Sequence, residues 1–281
     1  MTPLALRRGG RVLGRAAVWT WILLAMVPFV FILVTSIKPG AIAISVPPEW
    51  NFTPTLDNYS DILSGNTASS EAFAPLVWHS AIVSLSATAL ALAVGLPAAY
   101  ALTMTRFRPR RALSSWILST IMFPPIVAVI PVFVLAGELQ LTDTYPVLVV
   151  PYAAFNLPMV IWVLRSTINQ IPPEVEQAAL VDGATRTGVL LRVILPLVMP
   201  GIATAAILSI VLSWNEFLFA LTLTRDQVKT APVGVAEFTG LFGTQYGYLT
   251  AASVVIVAPI LVLVLILRRR FVSGLTFGAV K

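Results

Sequence analysis

Side chains able to do acid, base, metal or nucleophile chemistry are few and far apart in this sequence. Its 281 residues hold no cysteine, one histidine (His79), 12 acids and 18 lysines and arginines. Without cysteine, thiolate zinc sites, iron–sulfur clusters and cysteine nucleophiles fall away, and a single imidazole cannot build a multi-histidine metal centre. His79-Ser80 pairs a base with a hydroxyl, but no carboxylate in the same apolar run could orient the imidazole, so a Ser–His hydrolase lacks its third group. No Gly-x-x-x-x-Gly-Lys-Ser/Thr phosphate loop occurs, and Lys38, Lys229 and Lys281 stand outside glycine-rich turns, so the chain is not expected to hydrolyse ATP. What remains are polar groups in or beside apolar runs: Asn156 between Pro151 and Pro158, the stretch Trp214-Asn215-Glu216-Phe217, the patch with Gln245, Tyr246 and Tyr248, and the segment Glu174 to Ala184. Groups of this kind line paths and make contacts; they do not break bonds.

The elements that must position them follow from composition. Hydrophobic residues make up 58% of the chain and charged ones 11%, against about 25% charged in an ordinary soluble domain. Runs free of Asp, Glu, Lys and Arg extend from Ala16 to Ile37, Leu76 to Thr105, Ala112 to Gly137, Thr144 to Leu164, Val193 to Asn215 and Phe238 to Leu267. Each reaches the roughly 20 residues that cross a bilayer core. Backbone polar groups in lipid must be satisfied within the segment, and none of the runs alternates like a barrel strand, so the expected class is an all-α polytopic membrane protein with six spans. Arg7, Arg8, Arg11 and Arg15 precede the first run, but it is longer than a signal-peptide core and no small-residue cleavage site follows, so it is expected as a retained helix.

Orientation follows from the basic residues. With both termini in the cytoplasm, Arg7, Arg8, Arg11, Arg15, Arg106, Arg108, Arg110, Arg111, Arg165, Arg186, Arg192, Arg268, Arg269, Arg270 and Lys281 all lie inside, and only Lys38, Arg225 and Lys229 lie outside. Most acids lean the other way, including Asp57, Asp61, Asp143 and Glu237. Topology on a bilayer with anionic headgroups therefore accounts for the net charge of +6, and no nucleic-acid partner is expected. The resulting plan is a cytoplasmic segment 1–15, a six-span domain 16–267 and a cytoplasmic tail 268–281. Within the domain lie an external segment at about 38–75, a cytoplasmic loop at about 165–196 and an external loop at about 224–247.

The cytoplasmic loop is far longer than a connector requires. Pro172-Pro173 followed by Glu174 and Glu176 marks a helix start, because prolines are tolerated in the first turn and acids favour the positive end of the dipole. Val175, Ala178, Ala179 and Asp182 recur on one helical face, and Gly183 is placed to end the helix in a left-handed conformation. A second helix then leads through Leu195-Pro196 into the fifth span. Small residues at the bend (Ala178, Ala179, Gly183, Ala184) allow a second body to approach the backbone. The residues alone fit two roles equally, a knob for a peripheral protein or an amphipathic helix lying on lipid.

Glu176-Gln-Ala-Ala-Leu-Val-Asp-Gly-Ala184 with Ile194-Leu-Pro196 resembles the EAA loop of permease subunits in binding-protein-dependent ABC importers, specifically the maltose-type carbohydrate class. Asp57-Asn58-Tyr59, Pro97-Ala-Ala-Tyr100, Phe123-Pro-Pro, Leu141-Thr-Asp143-Thr, Leu157-Pro158, Trp214-Asn-Glu-Phe217 and Gly274 to Lys281 look like family positions in family order, over nearly the whole chain. The resemblance implies the type I importer permease fold and a prokaryotic inner-membrane location. It also implies a second homologous permease, two ATPase subunits that bind ATP and magnesium, an external solute-binding protein and a sugar substrate, first of all a disaccharide such as trehalose or maltose, with a glycerol phosphodiester or other small solute as the alternative, since similar permeases carry monosaccharides, oligosaccharides and glycerol phosphodiesters. Glu176, Ala178, Ala179, Asp182, Gly183 and Ala184 become ATPase-coupling residues, and no cofactor or metal belongs to this chain. Two departures are visible. Gln177 stands where the family's first EAA glutamate is usual, leaving any ionic contact to Glu176, and His79-Ser80 stands where an Asn-Ser pair is common.

Gln245, Tyr246 and Tyr248 resemble a loop that contacts the binding protein and can enter its sugar cleft; an interfacial aromatic belt explains the tyrosines equally well. Asn156, Trp214, Asn215, Glu216 and Phe217 are candidates for the substrate path, and interhelical packing is the competing role. A gradient-driven carrier would be expected to show an inverted repeat and ionisable groups deep in the bundle. Counting about 1.5 Å per residue from Val193 instead puts Glu216 roughly 30 Å along, at the outer end of its span.

Overall fold

The computed structural model describes residues 3–67, 71–105, 107–240 and 243–276. Arg106, part of the Ser64 to Ser70 stretch, and the tail from position 277 through Lys281 lie outside the described residues. In chain order the helices are α1 (Pro3–Ser36), α2 (Asp57–Ser64), α3 (Phe73–Met104), α4 (Arg110–Ser119), α5 (Pro125–Glu138), α6 (Tyr145–Ile168), α7 (Pro173–Val181), α8 (Arg186–Val189), α9 (Leu195–Leu197), α10 (Met199–Trp214), α11 (Leu218–Leu223), α12 (Ala231–Glu237) and α13 (Tyr246–Thr276). A short antiparallel ladder, β1 (Thr239–Gly240) with β2 (Gly243–Thr244), precedes α13. The class is all-α and polytopic, as expected. Four helices are long and apolar enough to cross a membrane (Gly14–Ser36, Phe73–Met104, Tyr145–Ile168 and Tyr246–Ile266), and the number rises to six if each of two bent pairs counts as one span.

The bent pairs correct the expectation of straight third and fifth spans. Arg110–Met122 and Pro125–Glu138 meet at 90°. Phe123 and Pro124 each precede a proline, which disfavours the helical region, and both are extended, with ψ of 121° and 125°. Arg186–Leu197 and Met199–Trp214 meet at 80°. There Pro200 lacks an N–H for the carbonyl four residues back and crowds it, so the chain turns at Val198. Proline also opens helices: α5, α6, α7 and α10 all carry it in the first two positions, where the missing N–H has no partner to lose. The sixth span likewise starts at Tyr246, later than the expected Phe238, because Thr239–Gly240 and Gly243–Thr244 form the ladder and Gly243 takes a left-handed φ of 103°.

The chain divides into two compact units, Met1–Phe73 with Val235–Val257, and Ala74–Gly234 with Ala258–Lys281. In the first, buried Asn58 donates to the carbonyls of Ser36 (2.9 Å) and Lys38 (2.7 Å), joining α2 to the end of α1. Lys38 is buried, with its ammonium 5.4 Å and 5.2 Å from the ring centres of Trp50 and Phe52, a cation–π arrangement that shelters the charge. From Gly14 to Phe31 this helix is exposed, as suits a helix solvated by lipid, and it is buried only at its end, at Thr35 and Ser36.

In the second unit α6 is the central element. Leu148, Val160, Leu164 and Ile168 from α6 pack with Val83, Ala87 and Ala99 of α3, Ala205 of α10 and Phe219 of α11. Helices α6 and α10 close up where Gly201 meets Thr167. A Cβ at position 201 would come within 2.3 Å of the Thr167 hydroxyl oxygen, so only glycine permits this approach.

Candidate functional site: an exposed bend and a small polar cavity

Within the loop at 165–196, α7 runs to Val181 and the bend follows at Asp182-Gly183. The Ala184 N–H donates to the Ala179 carbonyl and the Gly183 N–H to the Leu180 carbonyl, both at 3.1 Å. With Gly183 at φ 86°, this is a Schellman closure, in which a left-handed residue lets the last carbonyls of the helix be satisfied. Thr185 then caps the next helix, its Oγ1 accepting from the Gly188 N–H at 3.2 Å. That helix runs on through a π-helical turn, Leu190–Ile194, into α9. A Cβ at Gly183 would meet nothing within 4 Å, so the glycine is demanded by backbone conformation, and the space around it is open.

The expected face of α7 needs correcting. Glu176 is buried and accepts a hydrogen bond from the Tyr100 hydroxyl, while Ala179 and Leu180 are partly buried against the core. Ala178 and Asp182 are exposed, as are Gln177 and Gly183, and Ala184 is half-buried. Glu176 is thus directed into the bundle; the open surface of the bend comes from Gln177, Ala178, Val181, Asp182 and Gly183. An apolar periodicity could not identify this, because a carboxylate turns inward only where a distant donor waits for it.

The path candidates separate into two groups. Buried Asn156 donates to Ser213 Oγ (2.7 Å) and to Ser209 Oγ (3.1 Å), and the Thr88 hydroxyl donates to the same Ser209 Oγ (3.0 Å), so α3, α6 and α10 share one polar cluster. Asn156 and Glu216 line a cavity of about 60 Å³ with Tyr152, Phe155, Ser213 and Phe219. Glu216 accepts from the backbone N–H groups of Phe219 (3.0 Å) and Ala220 (3.3 Å), an anion at the start of α11. Because the chain bends at Val198, α10 has only 16 residues, about 24 Å, so Glu216 follows a shorter helix than the straight span implied. Trp214 is buried, its indole N–H without a partner; Asn215 is exposed and bonds back to the Val211 carbonyl; Phe217 is exposed. None of these three lines the cavity. Sequence reasoning missed Tyr152, whose buried hydroxyl lines the same cavity as the Glu216 carboxylate. Its position one helical turn before Asn156 was the available signal.

In the other unit, Gln245, Tyr246 and Tyr248 border a cavity of about 460 Å³ together with Ala43, Ile44 and Asn58. Gln245 and Tyr246 are exposed. Tyr248 is committed elsewhere, its hydroxyl donating to Asp61 Oδ2 at 3.0 Å and its ring lying 6.0 Å from that of Phe238.

Residues 91–276 match the family described as the binding-protein-dependent transport system inner membrane component. The trehalose transport system permease protein SugB of Mycobacterium tuberculosis is 40% identical over 263 residues, covering 92% of this chain and 93% of its own. The trehalose/maltose transport system permease protein MalG of Thermococcus litoralis is 34% identical over 261 residues, 92% of each. The chain belongs to the binding-protein-dependent inner-membrane component family. The crystal structure of a bacterial ABC transporter that imports the acidic polysaccharide alginate contains a chain with the same fold, at a TM-score of 0.75 and 24% identity, covering 96% of this chain and 99% of that one.

In this inner-membrane component the family match takes in the bend, Tyr100, Asn156 and Glu216, and it begins after α1 and α2. It also takes in a clasp whose role sequence reasoning did not assign. Asp143, at φ 59°, accepts four consecutive backbone N–H groups: Arg225 and Val228 on Oδ1, Asp226 and Gln227 on Oδ2, all at 2.9–3.1 Å. Burial alone would raise the Asp143 pKa, but the four donors outweigh it and hold the carboxyl below the ordinary aspartate value. Nearby, His79 Nδ1 is 3.1 Å from the Lys229 carbonyl, which can only accept, so this nitrogen carries the proton. Ser80 Oγ accepts from the Ala231 N–H at 2.9 Å. The His79-Ser80 pair therefore holds backbone, as a hydrogen-bonding substitute would.

Proposed function

We propose that this chain is one of two paired membrane subunits of an ATP-driven sugar importer, with a disaccharide of the trehalose or maltose type as substrate. The single observation that carries the reading is the bend at Gly183: a helix–turn–helix with open space around a glycine fixed by its backbone conformation. The similarity to SugB, a trehalose transport permease, and MalG, a trehalose/maltose transport permease, supports the choice of a disaccharide. In this reading both termini and the bend face the cytoplasm, a second homologous permease completes the path, and two ATPase subunits bind ATP and magnesium beneath the bends. An external solute-binding protein delivers the sugar and meets Gln245 and Tyr246.

Closure of the ATPase dimer on ATP draws the two bends together and turns the bundle from inward-facing to outward-facing; hydrolysis resets it. This chain supplies shape and contacts, and the bond-breaking residues belong to the partners. Asn156, Tyr152 and Glu216 supply hydrogen-bonding groups along the path, and the aromatic rings of Phe155 and Phe219 beside them can pack against sugar C–H faces. The test is uptake of radiolabelled trehalose and maltose into proteoliposomes holding the whole complex. The reading predicts uptake that needs internal ATP together with the binding protein and survives collapse of ion gradients. Uptake by this chain alone, driven by a gradient, would refute it.

A further inference from the structure

The hydrogen bond from the Tyr100 hydroxyl to the Glu176 carboxylate joins residues 76 positions apart, one in the last turns of α3 and the other on α7. Both are nearly fully buried, at 5% and 7% exposure. A carboxylate in such a place is costly unless hydrogen-bonded, so the side chain is held there by a specific partner and not by hydrophobic packing. Tyrosine adds stiffness, since its ring turns about only two side-chain bonds. Gln177, the next residue, is exposed and free to face a docked partner, which leaves Glu176 to face the bundle.

Helix α3 continues from Tyr100 back to Thr88, 12 residues and about 18 Å away. There Thr88 donates to Ser209, which also accepts from Asn156. One helix thus connects the loop carrying the Gly183 bend to the polar cluster beside the Tyr152–Glu216 cavity. We propose that the Tyr100–Glu176 bond is the positioning contact that passes displacement of α7 to α3, and through α3 to the Asn156 cluster. The inference rests on the coupling role proposed for the bend, and it assigns Glu176 to transmission within the chain instead of contact with the ATPase. Neither residue touches a reacting atom; each acts by fixing one helix against another.

The test uses the whole reconstituted complex and reads ATP hydrolysed per sugar transported, alongside co-purification of the ATPase and the thermal midpoint. Tyr100→Phe is expected to retain the ATPase while uptake per ATP falls roughly tenfold, the scale set by losing a hydrogen bond to a charged group. Glu176→Gln, whose amide oxygen still accepts from Tyr100, should recover most of the wild-type ratio. The double variant Tyr100→Phe/Glu176→Leu removes the stranded carboxylate, so it should restore the thermal midpoint and leave the ratio low. A wild-type ratio in Tyr100→Phe, or a ratio restored together with the midpoint in the double variant, would overturn the inference by reducing the bond to a fold contact. Loss of the ATPase from both single variants would overturn it in favour of a docking role. A wild-type complex that moves no sugar with ATP would instead overturn the importer reading, and this inference with it.

Discussion

Asp143 and Val228, 85 positions apart, are joined by a 3.1 Å hydrogen bond from the Val228 N–H to Asp143 Oδ1, one of four that the same carboxylate accepts from successive amides. The clasp fixes the 225–228 turn to the start of α6, and the amides it satisfies would otherwise have to find water.

Asp143→Asn keeps one acceptor oxygen and turns an NH₂ group toward two of the four donors. At neutral pH we expect a loss of about 1–2 kcal/mol, seen as a lower thermal midpoint in detergent. The folded-state pKa of Asp143 lies below its ordinary value, so its contribution is fully present above about pH 4 and is lost as pH falls through the lowered value. The gap between melts of wild type and Asp143→Asn should therefore begin to shrink below about pH 4 and close as pH falls through the lowered value; a gap that stays constant over that fall would mean that the carboxylate charge does not matter.

Asn156→Ala removes the donor that Ser209 and Ser213 share. We expect a loss of about 1–3 kcal/mol in stability, since the buried Ser213 hydroxyl loses its donor while Ser209 keeps Thr88. In a residue that also lines the path, the apparent KM for sugar uptake should rise in the surviving complex. A fall in stability with KM unchanged would confine Asn156 to packing.

Tyr248→Phe deletes the hydroxyl that binds Asp61 but leaves the ring on Phe238. The expected effect is a loss of about 1 kcal/mol, with stimulation of ATP turnover by the loaded binding protein unchanged. Replacing exposed Gln245 and Tyr246 together with Ala should lower that stimulation with little change in thermal midpoint. The reverse pattern would make Tyr248 the contact and the other two bystanders.

What the residues disclosed and what they concealed follow one physical line. Long apolar runs declared their helices because lipid leaves no other way to satisfy a backbone, and Gly183 declared its bend because a left-handed turn at a helix end favours glycine. The breaks at Phe123-Pro124 and Val198 were concealed, since hydropathy sums composition along a run and carries no direction. The prolines were visible there, but a proline inside α3 or α6 leaves those helices unbroken, so the residue type alone could not decide. Glu176 and Asp143 were concealed for a different reason. Each has its partner about 80 positions away, and nothing local distinguishes an acid that waits for a distant donor from one that faces water.

The most direct test of the central claim, that the Gly183 bend seats in a partner ATPase, is co-purification of that ATPase with two variants of the native complex. A Cβ at position 183 meets nothing within 4 Å in the chain, and Gly183→Ala and Gly183→Leu share a left-handed backbone penalty of about 1–2 kcal/mol. They differ in the bulk they present to a docked partner. We expect Gly183→Ala to retain the ATPase, and Gly183→Leu to lose it while keeping the thermal midpoint of its sister variant and its second permease. Equal retention of the ATPase by both, with ATP-driven uptake intact, would contradict the claim.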